Sequence, residues 1–194
     1  MKKSNMLMLA AIASLTLFFL GCSSENKTES TENDETTEST AEEIAATDQR
    51  PSPLRTIDGS IGNVKVKVQY GAPSVKGRVV WGDLVPYNEV WRTGANESTY
   101  VDFDSDVTIE GQPLKAGRYS LFTIPKSSGK WTVILNSEWN LEHGHFQYKQ
   151  ENDVLRVEST PQWVADSQEQ LTISIESPGI VVRWEKLVLP IAVN

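Results

Sequence analysis

Seven consecutive residues alternate between apolar and polar side chains, Val64-Lys-Val-Lys-Val-Gln-Tyr70. Successive side chains of a β-strand point to opposite faces, so this period of two predicts a strand with one buried face. The stretch Thr99-Tyr-Val-Asp-Phe-Asp104 alternates in the same way, and we expect Val101 and Phe103 to point inward. Together the two stretches predict an antiparallel sheet that faces a core on one side.

Further short apolar segments follow along the chain, separated by turn-forming residues. They lie at residues 107–109, 112–114, 118–125, 130–136, 153–160, 170–176 and 180–189. Residues 81–84, 88–91 and 163–166 are expected to form short helical turns, and longer helical periodicity is missing after residue 50. About eight to ten short strands predict an all-β fold, a single antiparallel β-sandwich of the jelly-roll-like or immunoglobulin-like kind.

The amino terminus predicts export. Two lysines precede an apolar run at residues 6–20. This length is typical of a secretory signal peptide, here residues 1–21, and is too short for a permanent spanning helix. Leu20-Gly21-Cys22 resembles the bacterial lipobox, although Phe19 replaces the usual branched aliphatic residue. We therefore expect Cys22 to be the lipidated first residue of the mature protein, and the alternative is a buried cysteine inside the signal helix.

The predicted lipid anchor indicates where the protein is located. Cys22 is the only cysteine, so an intramolecular disulfide is impossible. Buried lipid chains contribute ~0.8 kcal/mol per CH₂, which would hold the protein on a bilayer without a transmembrane helix. Ser23 follows Cys22, where an Asp would resemble the inner-membrane retention signal of Gram-negative bacteria. The expected location is the cell envelope, at the outer membrane.

Residues 22–50 form a predicted tether, and residues 51–194 form the predicted sandwich domain. Residues 23–49 contain nine acidic residues, one lysine and no aromatic residue. Such a composition cannot bury enough apolar surface to offset its ordering entropy, which predicts a disordered spacer. Residues 51–194 contain 17 acidic and 14 basic residues. Without a basic face, the sequence indicates no nucleic-acid partner.

Two stretches concentrate possible metal ligands. Residues 102–106 have the opening spacing of a calcium loop, but Val107 stands where the sixth-position Gly is required. His143 and His145 would share one face of an extended segment and could bind a metal ion with a further carboxylate; a solvent-exposed loop is the alternative. Because two ligands do not make a site, the sequence predicts no metal site and no cofactor.

Residues 68–98 concentrate Gly, Pro, Trp, Arg and acidic residues. This stretch and later segments carry a family resemblance, at Tyr70-Gly-Ala-Pro-Ser-Val-Lys-Gly-Arg78, Leu84-Val-Pro-Tyr87, Val90-Trp-Arg-Thr-Gly-Ala-Asn-Glu97, Leu114 to Pro125 and Asp153-Val-Leu-Arg-Val157. The chain closely resembles the bacterial family catalogued as domain of unknown function 2911 over about residues 50–191. The resemblance implies an exported protein, often a lipoprotein, and it implies no activity. Residues 139–146 depart from the shorter Trp-Gly stretch usual in the family.

The segment Trp-Arg-Thr-Gly-Ala-Asn-Glu contains most of the candidate ligand-binding residues. Arg92 offers a fork of donors for a carboxylate or phosphate, Asn96 donates and accepts, and Glu97 is a possible base. Trp91 and the nearby Trp81 offer flat faces for a sugar or an aromatic ligand. The alternative is structural: Arg92 pairs with Glu97 or Asp83, Asn96 caps turns, and the tryptophans fill the end of the sandwich.

The sequence favours a non-enzymatic β-sandwich lipoprotein that binds a small molecule, a glycan or a protein partner. One alternative is an envelope carbohydrate hydrolase in which Glu97 and either Asp83 or Glu89 form a carboxylate pair, ~5–9.5 Å apart. A second alternative is a purely structural assembly protein, which would show an exposed apolar patch in place of a concave site.

Overall fold

The computed structural model describes residues 50–194. The predicted signal peptide, the lipidation site Cys22 and the tether up to residue 49 lie outside the described residues. The described chain contains ten strands, paired antiparallel, and two short 3₁₀ turns at Gly144–Gln147 and Gln150–Asn152. Within this range no helix has the length and apolarity needed to cross a membrane. The predicted all-β antiparallel sandwich is confirmed.

The strands are arranged in two layers. In chain order they are β1 Leu54–Ile61, β2 Val64–Gly71, β3 Tyr100–Phe103, β4 Val107–Ile109, β5 Gln112–Leu114, β6 Gly117–Ile124, β7 Trp131–Asn136, β8 Asp153–Ser159, β9 Gln162–Glu176 and β10 Gly179–Ala192. One layer is a six-stranded sheet in the order β1-β2-β3-β6-β7-β8. In the other layer, the β9–β10 hairpin meets the β4–β5 hairpin through a bridge between Ile109 and Val193.

The core lies between the layers and follows the alternation of the sequence. Val66 and Val68 of β2 are buried, whereas the intervening Lys67 is exposed. Val101 and Phe103 are 0% and 1% exposed, which confirms their predicted inward orientation. The second layer contributes apolar side chains to the same cluster, among them Leu171, Ile173, Val182, Trp184, Leu187, Leu189 and Ile191. Burial of such side chains stabilises the fold by ~1.5–3 kcal/mol each.

Two elements differ from the expectation. In β1 the apolar residues Leu54, Ile57 and Ile61 recur at intervals of three and four, so periodicity gives no strand signal there. β9 begins at Gln162, and the helical turn expected at residues 163–166 is therefore wrong. Residues 81–84 and 88–91 form no helix either. The side chains of the first half of β9 are exposed, and this half is held by backbone pairing with β10. Because neither face is buried, the sequence shows no alternation of apolar and polar residues there.

Residues 137–152, the cover segment, pack over part of the outer face of the six-stranded sheet. Leu141 of this segment is 6% exposed and forms a small second core with Phe122 of β6 and Ile134 of β7. Val90 lies at the edge of the same cluster. The cover segment thus meets the chain between β2 and β3, where the candidate site lies.

Candidate functional site

Residues 72–99, the connecting segment, join β2 to β3 and contain all five candidate ligand-binding residues. The segment is tied to both layers, since Ser74 bridges to Gln170 of β9 and Trp91 bridges to Thr123 of β6. β3 pairs only with the first half of β6, so Trp91 can occupy the edge of the second half. The connecting segment is therefore fixed to the sandwich at both of these points.

The connecting segment bends directly after Arg92. Thr93 is fully buried with φ of 53°, which is unusual for a β-branched residue. Its hydroxyl bonds Thr123 Oγ1 at 3.2 Å, and its carbonyl accepts a hydrogen bond from Thr99 Oγ1 at 3.0 Å. A Cβ atom at Gly94 would lie 2.7 Å from Thr99 Oγ1, so the bend requires a glycine there. These buried contacts fix the backbone that carries Arg92.

Five of the six tryptophans form one cluster with Trp81 at its centre. Trp81 meets Trp91, Trp131, Trp163 and Trp184 edge to face, with ring centroids 5.0 to 6.2 Å apart. Trp91 and Trp184 stack at 5.9 Å. Trp81 and Trp91 therefore fill one end of the sandwich, as the structural alternative predicts, although Trp91 also lines the cavities described below.

Arg92 links the connecting segment to the cover segment. Its Nε donates to His145 Nδ1 at 3.0 Å, and its Nη1 donates to the carbonyl of Asn96. The guanidinium carbon lies 5.1 Å from the centre of the Phe146 ring. None of these three groups carries a negative charge, so these contacts do not neutralise the positive charge of Arg92.

Glu97 and Asn96 bind the start of the described chain. Glu97 Oε1 accepts from Arg50 Nη1 at 2.6 Å, and Asn96 Nδ2 donates to the carbonyl of Ser52 at 3.2 Å. The expected ion pair between Arg92 and Glu97 is not among the salt bridges of residues 50–194; Glu97 acts on Arg92 through its charge at longer range. Asn96 and Glu97 thus hold the entry of the chain beside Arg92.

A close approach at Gly144 brings His145 to Arg92. Gly144 has φ of 53°, and a Cβ atom there would lie 2.7 Å from Arg92 Cδ. The 3₁₀ turn that begins at Gly144 replaces the extended backbone assumed for a shared metal ion, so His143 and His145 are not aligned on one face. Within residues 50–194, no group of three His, Cys, Asp or Glu side chains is placed to hold a metal ion.

The Arg92–His145 pair consists of a cation and a neutral imidazole. Burial, aided by the positive charge of Arg92, lowers the pKa of His145 from 6.5 to about 4. Because Nδ1 accepts the Arg92 hydrogen bond, the proton of the neutral ring is on Nε2. Burial also lowers the pKa of Arg92, and the negative charge of Glu97 opposes this effect. Arg92 remains charged at physiological pH.

Two adjoining cavities share Arg92 and His145 in their walls, together with Trp91. The first, called the polar cavity, has a volume of about 290 Å³ and is also lined by Ser52, Arg78, Asn96 and Trp184. The second, called the apolar cavity, has a volume of about 370 Å³ and is also lined by Leu84, Val85, Pro86, Glu89, Val90 and Phe146. Ligand pockets typically range from ~300 to 1,000 Å³, so the two cavities together have a suitable size for a small molecule.

The polar cavity is lined by two arginines and by no acidic residue. Arg78 Nε and Nη2 donate to the carbonyls of Val75 and Ser74 at 3.1 and 2.5 Å. Two of the five N–H donors of each guanidinium therefore bind protein atoms. Trp184 is 1% exposed, and its indole N–H has no acceptor within the described chain. The cavity offers donors and positive charge to an anion.

The other predicted carboxylates lie elsewhere. Glu97 lines a separate cavity of only about 80 Å³, and Glu89 lines the apolar cavity. Asp83 is exposed in a turn and lines neither the polar nor the apolar cavity. None of the cavities described here is lined by Glu97 together with Asp83 or Glu89.

A larger groove, of about 540 Å³, crosses the outer face of β1, β2, β3 and β6. Its charges compensate one another: Arg118 pairs with Asp102 at 2.6 Å, and Lys67 pairs with Asp58 at 3.4 Å. An open surface with paired charges is the expected state of a solvated sheet face. We therefore place the candidate site at the two cavities beside Arg92.

Sequence reasoning identified part of this site. The structure places Trp91, Arg92 and Asn96 in the wall of the polar cavity, whereas Trp81 lines neither of the two cavities. Arg78 and Trp184 were missed as site residues, and His145 was considered only as a metal ligand. Arg78 stood in a segment that carries the family resemblance, which was the one available signal. His145 and Trp184 are distant from Arg92 in sequence, and only the tertiary fold brings them to the same cavity.

The sequence profile of a family described as protein of unknown function, DUF2911, matches residues 52–193. The match extends over nearly the whole described chain and agrees with the resemblance seen in the motifs. No curated protein and no solved structure gave a match. The family description assigns no activity, so the function has to be argued from the site.

Proposed function

Because the chain belongs to the DUF2911 family of proteins of unknown function, we propose from its site that it is an envelope lipoprotein whose sandwich binds a small anionic molecule. The ligand occupies the polar cavity, where its anionic group meets Arg92 and Arg78. The protein is anchored to the membrane through lipidated Cys22. No chemical step is assigned to the site.

One observation carries the proposal: two arginines line the polar cavity in the absence of any lining acidic residue. This is unexpected on composition, because acidic residues outnumber basic ones in residues 51–194. Elsewhere in the described chain, Arg118, Arg156 and Arg183 each pair with a carboxylate. A guanidinium presents a planar fork that matches a carboxylate or a phosphate, and an incoming anion would supply the missing partner.

The pocket dimensions favour a small molecule over the glycan and protein partners also considered from the sequence. Trp91 and Trp184 form an apolar stacked wall, while Arg78, Arg92 and Asn96 supply polar groups. Together with the apolar cavity, these residues give apolar walls with a few converging polar groups, which is the usual form of a small-molecule site. The hydrolase alternative gains no specific observation at these cavities. The assembly alternative predicts an exposed apolar patch in place of a concave site, whereas the exposed Leu84 and Phe146 border a cavity.

The proposal is tested by calorimetric titration of detergent-free protein from Ser23 onward, with acetate, benzoate and inorganic phosphate as probes. We expect at least one probe to bind, with an affinity that falls as ionic strength rises. Arg92→Gln and Arg78→Gln should each weaken binding about tenfold or more, as expected for a charged hydrogen bond. Arg183→Gln is the matched control, because Arg183 pairs with Glu176 and does not line either cavity.

Folding and binding are separated by measuring thermal stability of each variant without ligand. Arg92→Gln removes the bonds to His145 and Asn96 and should lower basal stability as well as binding. Arg78 is exposed, so Arg78→Gln should weaken binding with little loss of stability. If no anion binds the folded protein, or if Arg183→Gln weakens binding as much as Arg78→Gln, the proposal is wrong.

A further inference from the structure

The apolar cavity extends the proposed anion site in a way that specifies the ligand. Six of its nine lining residues are apolar: Leu84, Val85, Pro86, Val90, Trp91 and Phe146. It shares Leu84, Val85, Trp91, Arg92 and His145 with the polar cavity. A molecule with its anionic group at the arginines can therefore continue directly into apolar surroundings.

The rim of this cavity exposes large apolar side chains. Phe146 is 79% exposed and Leu84 is 41% exposed, and both line the cavity. Val79, which is 65% exposed, accepts a backbone hydrogen bond from Leu84 at 3.2 Å and so lies beside it. Single exposed apolar residues are common, but a group at the mouth of a cavity marks a surface that is covered when a ligand binds.

From this juxtaposition we propose that the ligand is a single-chain amphiphile with an anionic head, such as a long-chain carboxylate or a monoalkyl phosphate. The proposal rests on the proposed function and deepens it. The head binds Arg78 and Arg92 in the polar cavity, and the hydrocarbon chain lies in the apolar cavity against Leu84 and Phe146. The polar cavity is lined by two arginines, which form no salt bridge within residues 50–194, and by no acidic residue, and this charge favours an anionic head.

The cover segment contributes to both parts of this site. His145 orients Arg92, which binds the head, and the neighbouring Phe146 borders the apolar cavity. The ring of Phe146 also lies 5.1 Å from the guanidinium carbon of Arg92. The junction between charged and apolar surroundings therefore coincides with two consecutive residues of one 3₁₀ turn.

The test is a chain-length series, titrated below the micellar concentration into the protein from Ser23 onward. Butanoate, octanoate and dodecanoate vary the chain, dodecyl phosphate varies the head, and decanol lacks the charge. Each fully buried CH₂ contributes ~0.8 kcal/mol, so affinity should rise up to about fourfold per methylene. Decanol should bind more weakly than octanoate despite its longer chain, because it lacks the charge–arginine contacts.

Variants assign the two ends of the ligand. Phe146→Ser and Leu84→Ser should reduce the gain in affinity per methylene, because both side chains border the apolar cavity. Val154→Ser is the matched control, since Val154 is 48% exposed and lines neither cavity. Arg78→Gln should weaken every anion by a similar factor and leave the dependence on chain length unchanged.

The outcomes distinguish this inference from the proposed function. If acetate and phosphate bind at Arg92 but affinity does not rise with chain length, the amphiphile inference is overturned and the anion site remains. If no anion of any length binds, both proposals are wrong. Association with anionic phospholipid vesicles without binding of monomeric dodecanoate would indicate membrane contact at the rim, and it would overturn occupation of the cavity.

Discussion

His145 couples the candidate site to pH at the scale of one residue. Its pKa is about 4 in the folded protein and 6.5 as the ordinary value, so the unfolded chain binds more protons between these pH values. The stability contributed by the neutral ring is fully present above pH 6.5 and is lost as the pH falls through about 4. His145 is only half-buried, so solvent screens its interactions. The expected loss of unfolding free energy is therefore ~1–2 kcal/mol.

The measurement is urea unfolding of wild type and His145→Gln at several pH values between 4 and 7.5. The variant should lose this part of the pH dependence, whereas the carboxyl groups are common to both proteins and affect them alike. His143→Gln is the control, because His143 is exposed. An unchanged pH dependence in His145→Gln would show that the imidazole is not buried against Arg92.

Gly144 determines how closely the cover segment approaches Arg92. Alanine at this position would need a left-handed backbone, at a cost of ~1–2 kcal/mol, and its Cβ would lie 2.7 Å from Arg92 Cδ. The overlap should add ~1–3 kcal/mol to the destabilisation. Gly62→Ala is the control, since Gly62 has a similar φ of 59° and nothing within 4 Å of an added Cβ. Equal losses of unfolding free energy in the two variants would show that the Arg92 side chain shifts to accommodate the added Cβ atom at no cost in stability.

At the scale of elements, the tryptophan cluster connects the two layers at one end of the sandwich. Trp81 belongs to the connecting segment, Trp131 to β7 and Trp184 to β10. Trp81→Ala should destabilise the fold by ~3–5 kcal/mol and weaken the near-ultraviolet circular dichroism of the cluster. Trp139→Ala is the control, because Trp139 lies outside the cluster, beside Tyr100. A smaller loss for Trp81→Ala than for Trp139→Ala would contradict a central role.

Elements were predictable from the sequence where one face is buried and the other is solvated. Val64–Tyr70 and Val101/Phe103 alternate for this reason, and β2 and β3 were found correctly. β1 and the first half of β9 depend on backbone pairing with a neighbour and bury too little for a pattern to form. The site was predictable only in part, because Arg92 bonds His145 and shares a cavity with Trp184 across more than 50 residues of sequence.

At the scale of the whole molecule, the chain enters the sandwich at the candidate site. Arg50 pairs with Glu97, and Ser52 both binds Asn96 and lines the polar cavity. The predicted acidic tether ends directly before this point, so it would connect the lipid anchor to the same end of the chain that borders the cavity. A cavity tethered to a membrane in this way would suit a ligand that originates in or near the membrane. The lipid anchor is therefore the property to test in cells.

Cys22→Ser should release the protein from membranes, because it removes the thiol that would carry the lipid. Among the described residues no helix is long and apolar enough to cross a bilayer. In a Gram-negative host, the wild type should incorporate radiolabelled palmitate and sediment with the outer membrane, whereas Cys22→Ser should be unlabelled and soluble.

Ser24→Ala, which keeps the cysteine and Ser23, is the control and should behave like the wild type. Ser23→Asp should shift the labelled protein toward the inner membrane if sorting follows the residue after the cysteine. Equal sedimentation of wild type and Cys22→Ser, without palmitate in either, would refute the lipid anchor and leave the cavity to be explained for a protein free of the membrane.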